Sequence, residues 1–339
     1  MPDKKIRFNQ EPKLKKHYKN IVETWWQQVN LNTFLGVDDV KISYAYYYLE
    51  SNNRDLVISP GRCESFLKYK ELCYDFSLQG YNIFILDHRG QGMSQRMLAN
   101  NHKGYVRKFD HYAQDLHTFI HIVVKAKSNP HSDKKPPYLL AHSMGGAIVL
   151  RMLELYPEAI QAALLSSPML AINFVDLPYW LAETLIKTML GINNVMSKEP
   201  WYFLGQKDYQ TISFSQNKLM KSAQRYQHFL NAYQSQPQLQ LGGVTIHWLN
   251  EAINAKKSIF KNIANIKTPI RILQAGCDTI VDNNTQTDFC KQLHQLNNLY
   301  CPDQQPIIID GAQHELFFEQ DPYRNKALNY TLEWFNKYP

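Results

Sequence analysis

The 339-residue chain has a formal net charge of +7, five cysteines and an apolar fraction of 44%, a balance ordinary for a globular protein able to bury a large core. No apolar run approaches the roughly eighteen residues of a membrane-spanning helix, and residues 1–20 are too polar for a signal-peptide core, so a cytoplasmic location is expected. Cys63, Cys73, Cys277, Cys290 and Cys301 are odd in number and lack C-x-x-C spacing, against a disulfide framework or a zinc site.

The charge is uneven. Residues 1–20 hold Lys4, Lys5, Arg7, Lys13, Lys15, Lys16 and Lys19 against Asp3 and Glu11, a local +5, and the rest of the chain is nearly neutral. A basic lead-in can rest on an anionic membrane surface, at about 1 kcal/mol per basic side chain; a solvated tail is the plain alternative. A nucleic-acid partner is not expected, because no second basic cluster follows.

Ile21 to Leu35, with Trp25, Trp26, Val29 and Leu31, is expected to be a short helix that closes a lead-in over residues 1–35. Val40–Leu49 is rich in β-formers and reads as an early strand. Leu56–Ser59 is the next, broken by Pro60-Gly61, and Glu64–Leu78 has the apolar stripe of a helix. Asn82–Leu86 is short enough for a buried parallel strand and leads into Asp87-His88-Arg89-Gly90-Gln91-Gly92-Met93-Ser94. A dinucleotide fingerprint would need glycine where Gln95 stands, so the stretch is a tight loop and no cofactor is expected. The helix predicted from Phe109 to Val124 carries His117 and His121. The zincin motif needs Glu after the first histidine, and Thr118 stands there.

Pro137–Leu150 has the layout of a strand, a turn and a helix, with Ser143 in Ala141-His142-Ser143-Met144-Gly145. This approximates the nucleophile elbow G-x-S-x-G, with alanine at the first small position. Ala162–Ser167 is a further strand. Repeated alternation of strands and helices predicts an α/β fold with a mostly parallel central sheet and helices on both faces. The alternation stops after Pro168. Residues 169–265 read as a helical cap inserted into a core of residues 36–168 and 266–339, with helices near Leu177–Leu190 and Lys218–Tyr233. The rhythm resumes with strand Pro269–Ala275 before Asp278, a helix near Thr285–Leu296, strand Ile307–Ile309 before His314, and a final helix over Pro322–Phe335.

A serine hydroxyl becomes a nucleophile when a histidine takes its proton and a carboxylate orients that histidine. Ser143, Asp278 and His314 each follow a predicted strand, and ligands of open α/β sheets bind outside such strand ends. Asp282 and Asp310 are the competing acids. His142 is expected to point away from Ser143, as a structural residue. Backbone N–H groups must also receive the oxyanion. Met144, after the nucleophile, supplies one; Pro60 has no N–H, so Arg62 supplies the other.

Ser59-Pro60-Gly61-Arg62-Cys63-Glu64-Ser65, Asp87–Ser94, Ala141–Gly146 and Gly311-Ala312-Gln313-His314-Glu315 together resemble the serine-aminopeptidase-like, monoacylglycerol-lipase branch of the α/β hydrolases. The Pro-Gly-Arg-x-Glu-Ser loop, Ala141 and Leu241–Trp248 are similar to its bacterial lysophospholipase members. The resemblance implies an α/β-hydrolase fold and a cofactor-independent serine esterase, with Ser143, Asp278 and His314 as triad. The implied substrate is a lysophospholipid or a monoacylglycerol, and the implied location is the inner face of the bacterial inner membrane. In the cap, Phe174, Val175, Leu177, Tyr179, Trp180, Leu181, Leu185, Ile186 and Met189 could line an acyl tunnel or meet a bilayer, Trp180, Leu181 and Leu185 being the candidate substrate contacts. A small core of the cap itself is the plain alternative. A hydrolase-like module that only binds membranes is the competing function.

Overall fold

The computed structural model of the chain describes residues 8–128, 135–173 and 178–339. Lys4, Lys5 and Arg7 of the basic lead-in, and Phe174, Val175 and Leu177 of the expected cap, lie outside the described residues. In chain order, α1 (Glu11–His17) passes through a π-type turn into α2 (Glu23–Trp26), followed by β1 (Asn30–Leu35), β2 (Lys41–Tyr47), β3 (Arg54–Ser59), α3 (Lys70–Ser77) and β4 (Tyr81–Leu86). Next, α4 (Asp110–Thr118) continues through a second π-type turn into α5 (Lys125–Lys127), and β5 (Tyr138–His142), α6 (Met144–Leu155) and β6 (Ala162–Ser166) follow. Then come α7 (Tyr179–Met196), α8 (Ala223–Ser235) and α9 (Ile246–Lys261), and finally β7 (Ile270–Ala275), α10 (Asn283–Leu296), β8 (Ile307–Ile309) and α11 (Asp321–Asn336).

The strands form one sheet in the order β1-β2-β4-β3-β5-β6-β7-β8. β2 runs antiparallel to both β1 and β4, and the remaining pairs are parallel. This is the mostly parallel sheet expected of an α/β-hydrolase. Alternate residues of each strand enter different cores. Val57, Leu139, Ala163, Leu165 and Ile272 pack with α4, α6, α9 and α10 on one face. Leu56, Ile58, Leu140, Leu164 and Leu273 pack with α3, α8 and α11 on the other.

The N-terminal expectation needs correction. The helix ends at Trp26, and Asn30–Leu35 is an edge strand in register with β2, from Asn30 opposite Tyr46 to Leu35 opposite Lys41. Trp25 and Trp26 end the helix in the core, with the Trp25 ring 4.9 Å from Tyr47 and 5.6 Å from Tyr74. The strand then forms because β2 offers an unpaired edge, a partner that the local sequence does not contain. Nor are the described residues of the lead-in a free tail: Leu14 is buried, and Asp75 accepts bonds from the Asn9 backbone and side chain, both at 3.0 Å.

The segment between β6 and β7 straddles the sheet. α9 contributes Trp248, Leu249, Ile253 and Ile259 to one core, whereas α8 contributes Tyr226, Leu230 and Tyr233 to the other. Arg225 of α8 is held at 3.0 Å by both Glu71 and Asp321, beside the Arg324–Asp75 pair at 2.6 Å. By contrast, only Ala182, Ile186 and Asn193 of α7 are buried.

The turn from β5 to α6 sets the site. Gly145 packs its Cα against the end of β3, where an added Cβ would stand 2.2 Å from the Ser59 carbonyl oxygen and 2.5 Å from that of Pro60. Both obstacles are backbone, so neither can swing aside. Gly145→Ala is expected to destabilise the fold by about 3 kcal/mol, the upper range for overpacking, read as a lower urea midpoint. An unchanged midpoint would mean that the two loops are not in contact.

Candidate active site

Ser143 occupies the turn between β5 and α6 with φ 49° and ψ −117°, a conformation that L-residues rarely adopt. It is pinned from both sides: its N–H donates to the Ser166 carbonyl at 3.0 Å, and its carbonyl accepts from Gly146 and Met169, each at 2.9 Å. The strain lifts the hydroxyl to the strand end, where His314 Nε2 lies 2.9 Å from Ser143 Oγ. His314 Nδ1 is 2.7 Å from Asp278 Oδ2. Asp278 Oδ1 in turn accepts from the N–H groups of Ile280 at 2.8 Å and Val281 at 3.1 Å.

Burial works to raise the Asp278 pKa, but the hydrogen bond and charge of His314 outweigh it and hold the carboxyl below its ordinary range. The acid is therefore ionised at neutral pH and fixes the donor tautomer of Nδ1, leaving Nε2 free to accept a proton from Ser143. His314 Nδ1 is bonded to Asp278, and neither alternative acid makes that contact. Asp282 caps α10, accepting from Asn284 N–H at 2.8 Å and Thr285 Oγ1 at 2.7 Å, and the Asp310 backbone lies against Gly276.

The two expected oxyanion donors are Met144 and Arg62. Met144 is the first residue of α6, so its N–H has no partner within the helix. In the loop after β3, the Gly61 N–H is taken by Glu64 Oε2. The Arg62 N–H has no partner among the described residues.

His142 lies beside His314. Its ring lies 4.8 Å from that of His314, and its Nε2 is 4.0 Å from Glu64 Oε1. Burial pushes its pKa down to about 3, partly opposed by Glu64, so a neutral ring faces the imidazolium that forms on His314. A charged neighbour there would oppose that step.

Sequence reasoning missed a buried ammonium that links the two active loops. Lys68 Nζ lies 2.7 Å from Glu64 Oε1 and 2.6 Å from Glu315 Oε2, all three side chains being nearly inaccessible. Glu64 also accepts from Tyr69 OH and from the Gly61 N–H, and Glu315 directly follows His314. Burial opposes every charge in this group. The lysine nevertheless holds Glu64 below its ordinary range, and the two carboxylates hold Lys68 above its own. Burial raises Glu315, opposed in part by Lys68. The available signal was the i, i+4 spacing of Glu64 and Lys68 just after Pro60-Gly61.

Glu64, His142 and Glu315 are also the grouping with metal-ligand spacing among the described residues, but Lys68 already supplies positive charge between the two carboxylates. His117 and His121 stack with ring centroids 5.8 Å apart, His117 also lying on Tyr156 at 3.7 Å. In the loop after β4, Asp87 accepts from Phe66 N–H at 2.6 Å, Met93 N–H at 2.7 Å and Ser65 Oγ at 2.8 Å. A Cβ on Gly92 would meet that carboxylate at 2.1 Å, so its glycine serves the loop's own closure.

Of the cap residues, Trp180 (69% exposed) and Leu181 (40%) face solvent, and Leu185 is half-buried.

The sequence pattern of the serine aminopeptidase S33 family matches residues 50–321, which include every residue of this site. The chain belongs to that family. Among S33 relatives and their neighbours, lysophospholipase L2 of Escherichia coli (strain K12) is 35% identical over 93% of this chain and 89% of its own length. A probable lysophospholipase L2 of Haemophilus influenzae is 33% identical over 92% of this chain and 94% of its own. The fold resembles that of a soluble variant of monoglyceride lipase from Saccharomyces cerevisiae, with a TM-score of 0.65 at 20% identity, covering 92% of this chain and 97% of that one. The S33 chain is thus set among lipolytic α/β-hydrolases.

Proposed function

We propose that the chain is a serine carboxylic-ester hydrolase that releases a fatty acid from lysophospholipids through an acyl-Ser143 intermediate. The observation that carries it is the continuous line Ser143–His314–Asp278 in a chain with relatives named lysophospholipase. His314 Nε2 takes the Ser143 proton as Oγ attacks the ester carbonyl, and its Nδ1–H donates to ionised Asp278. The tetrahedral oxyanion is received by the N–H groups of Met144 and Arg62. His314 then protonates the departing glycerol oxygen, leaving the acyl group on Ser143. Water enters, loses a proton to His314 and attacks that ester, and the fatty acid leaves as Oγ is reprotonated.

Fatty-acid release from lysophosphatidylethanolamine, lysophosphatidylglycerol and monoacylglycerol of one acyl length tests the substrate. Lysophospholipids are expected to give the higher kcat/KM. A monoacylglycerol preference would transfer the assignment to monoacylglycerol lipase, an activity named among more distant relatives. Transfer of the acyl group to an alcohol faster than to water would make the enzyme an acyltransferase.

The same reading includes peripheral attachment to the inner face of an anionic membrane. No described helix is long and apolar enough to cross one. Instead α7 presents Trp180, Val195 (88% exposed) and Met196 (71%) to solvent, and the lead-in supplies Lys13, Lys15, Lys16 and Lys19. Apolar insertion beside basic residues is the mode by which amphipathic surfaces hold bilayers. Val195→Asp is expected to weaken co-sedimentation with phosphatidylglycerol vesicles about tenfold, the loss of one inserted side chain. Equal co-sedimentation would remove α7 from the contact.

A further inference from the structure

Arg62 carries a charge that no carboxylate among the described residues balances. Its guanidinium leaves the loop after β3 for the segment before α9: Nη2 donates to the Gly242 carbonyl, and Cζ lies 5.5 Å over the Trp248 ring. Its Nε is buried without a partner, and no ion pair reaches it among the described residues. Other buried cations are treated differently. Lys68, Arg89, Arg225 and Arg324 each face a carboxylate within 3.0 Å.

The contrast with Arg96 separates a tie from a receptor. Arg96 also crosses to this segment, but its Nε, Nη1 and Nη2 all donate to carbonyls, those of Asn101, Gly92 and Gln238. Arg62 uses one nitrogen of three. A partly buried cation with free donors is unfavourable unless an anion completes it, and the planar guanidinium suits two oxygens of a phosphate.

Its place sets which phosphate. The Arg62 backbone N–H is the proposed oxyanion donor, so the side chain starts beside the scissile carbonyl. In a 1-acyl lysophospholipid the carbonyl carbon and phosphorus are separated by six bonds, about 6–7 Å. An extended arginine side chain spans a similar distance, roughly 6–7 Å from its Cα.

We propose that the Arg62 side chain binds the phosphodiester of the substrate, so that one residue reads the head group with its guanidinium and the reacting carbonyl with its N–H. The proposal rests on the lysophospholipase reading above. A neutral monoacylglycerol offers only hydroxyls there, which do not neutralise the charge. Arg62 is then the residue that sets preference for phosphate-bearing over neutral acylglycerols.

Two non-hydrolysable ether lipids of one chain length, 1-O-alkyl lysophosphatidylglycerol and 1-O-alkylglycerol, are used below their micelle concentrations as inhibitors of short p-nitrophenyl ester hydrolysis by the full chain. The wild type is expected to bind the phosphate-bearing lipid about tenfold more tightly or better, as one charge-assisted contact allows. Arg62→Gln keeps the backbone N–H and should lose most of that ratio; Arg62→Lys, a charge without the planar fork, should keep part of it. With ester substrates, Arg62→Gln should raise KM for lysophosphatidylglycerol more than for monoacylglycerol, as lost uniform binding does. Equal inhibition of the wild type by the two lipids, or an equal weakening of both by Arg62→Gln, overturns the proposal and leaves Arg62 as a tie to Gly242. Failure of the wild type to release fatty acid from ester lysophospholipids would instead sink the lysophospholipase reading, while the ether-lipid ratio still decides Arg62.

Discussion

Ser143→Ala is expected to lower kcat on lysophospholipid by about 10⁴-fold or more and to abolish covalent labelling by a fluorophosphonate. The variant removes the only atom proposed to form the acyl bond, and His314 Nε2, 2.9 Å away, then has no proton to take. The effect belongs to chemistry alone. Alanine meets the same backbone demand at φ 49°, and the bonds that pin this turn are made by backbone groups, so thermal stability should stay close to the wild type. Residual turnover would come from the oxyanion donors and from binding. Full activity in Ser143→Ala would remove the acyl-enzyme, and a fluorophosphonate that fails to label the wild type would favour the module that only binds.

Lys68→Met is expected to cost about 3–5 kcal/mol of stability, because it leaves two buried carboxylates without their shared counter-ion. It should also lower kcat, by about 10²-fold if the two loops separate by an ångström. Lys68 lies between Glu64, which holds the Gly61 N–H beside the proposed donor Arg62, and Glu315, which follows His314. The loss should depend on pH. In the wild type Glu64 titrates below its unfolded value, so its contribution is present above roughly pH 4.3 and fades as the pH falls further. Without Lys68 only the Tyr69 and Gly61 hydrogen bonds oppose burial at Glu64, so its folded pKa rises; where it passes the unfolded value the sign reverses and stability declines as the pH rises. The gap in melting temperature between variant and wild type should therefore be wide at pH 7 and narrow near pH 4. Adding Glu315→Gln to Lys68→Met should recover part of the loss, since one uncompensated charge is gone. A Lys68→Met protein with wild-type melting temperature and kcat would show that the link positions nothing.

Much of the fold was legible because its signals are local. Leu56–Ser59, Asn82–Leu86, Pro137–Ala141 and Ile270–Ala275 are short apolar runs bounded by turn residues, and such runs bury well in a parallel sheet. The edge strand Asn30–Leu35 was not legible, since its reason to be extended is the free edge of β2. The relation of α8 and α9 to the two cores was likewise hidden. Apolar periodicity states that a helix has a buried face, but not which core receives it.

For the site, the sequence by itself determined the chemical types and their order: a serine at an elbow, an acid and a histidine after later strands, within a family whose pattern spans most of the chain; Met144 and Arg62 are its proposed oxyanion donors. It could do so because each sits at a strand end marked by glycine or proline, where backbone geometry restricts what residue fits. Only the tertiary structure decided that Asp278, not Asp282 or Asp310, faces His314, that His142 lies beside that ring, and that Lys68 joins the two active loops. It also decided that Arg62 has no counter-charge among the described residues. Those facts depend on distances between loops separated by up to hundreds of residues, and burial changes the energy of a charge according to what lies within a few ångströms of it. No pattern along the chain encodes that distance.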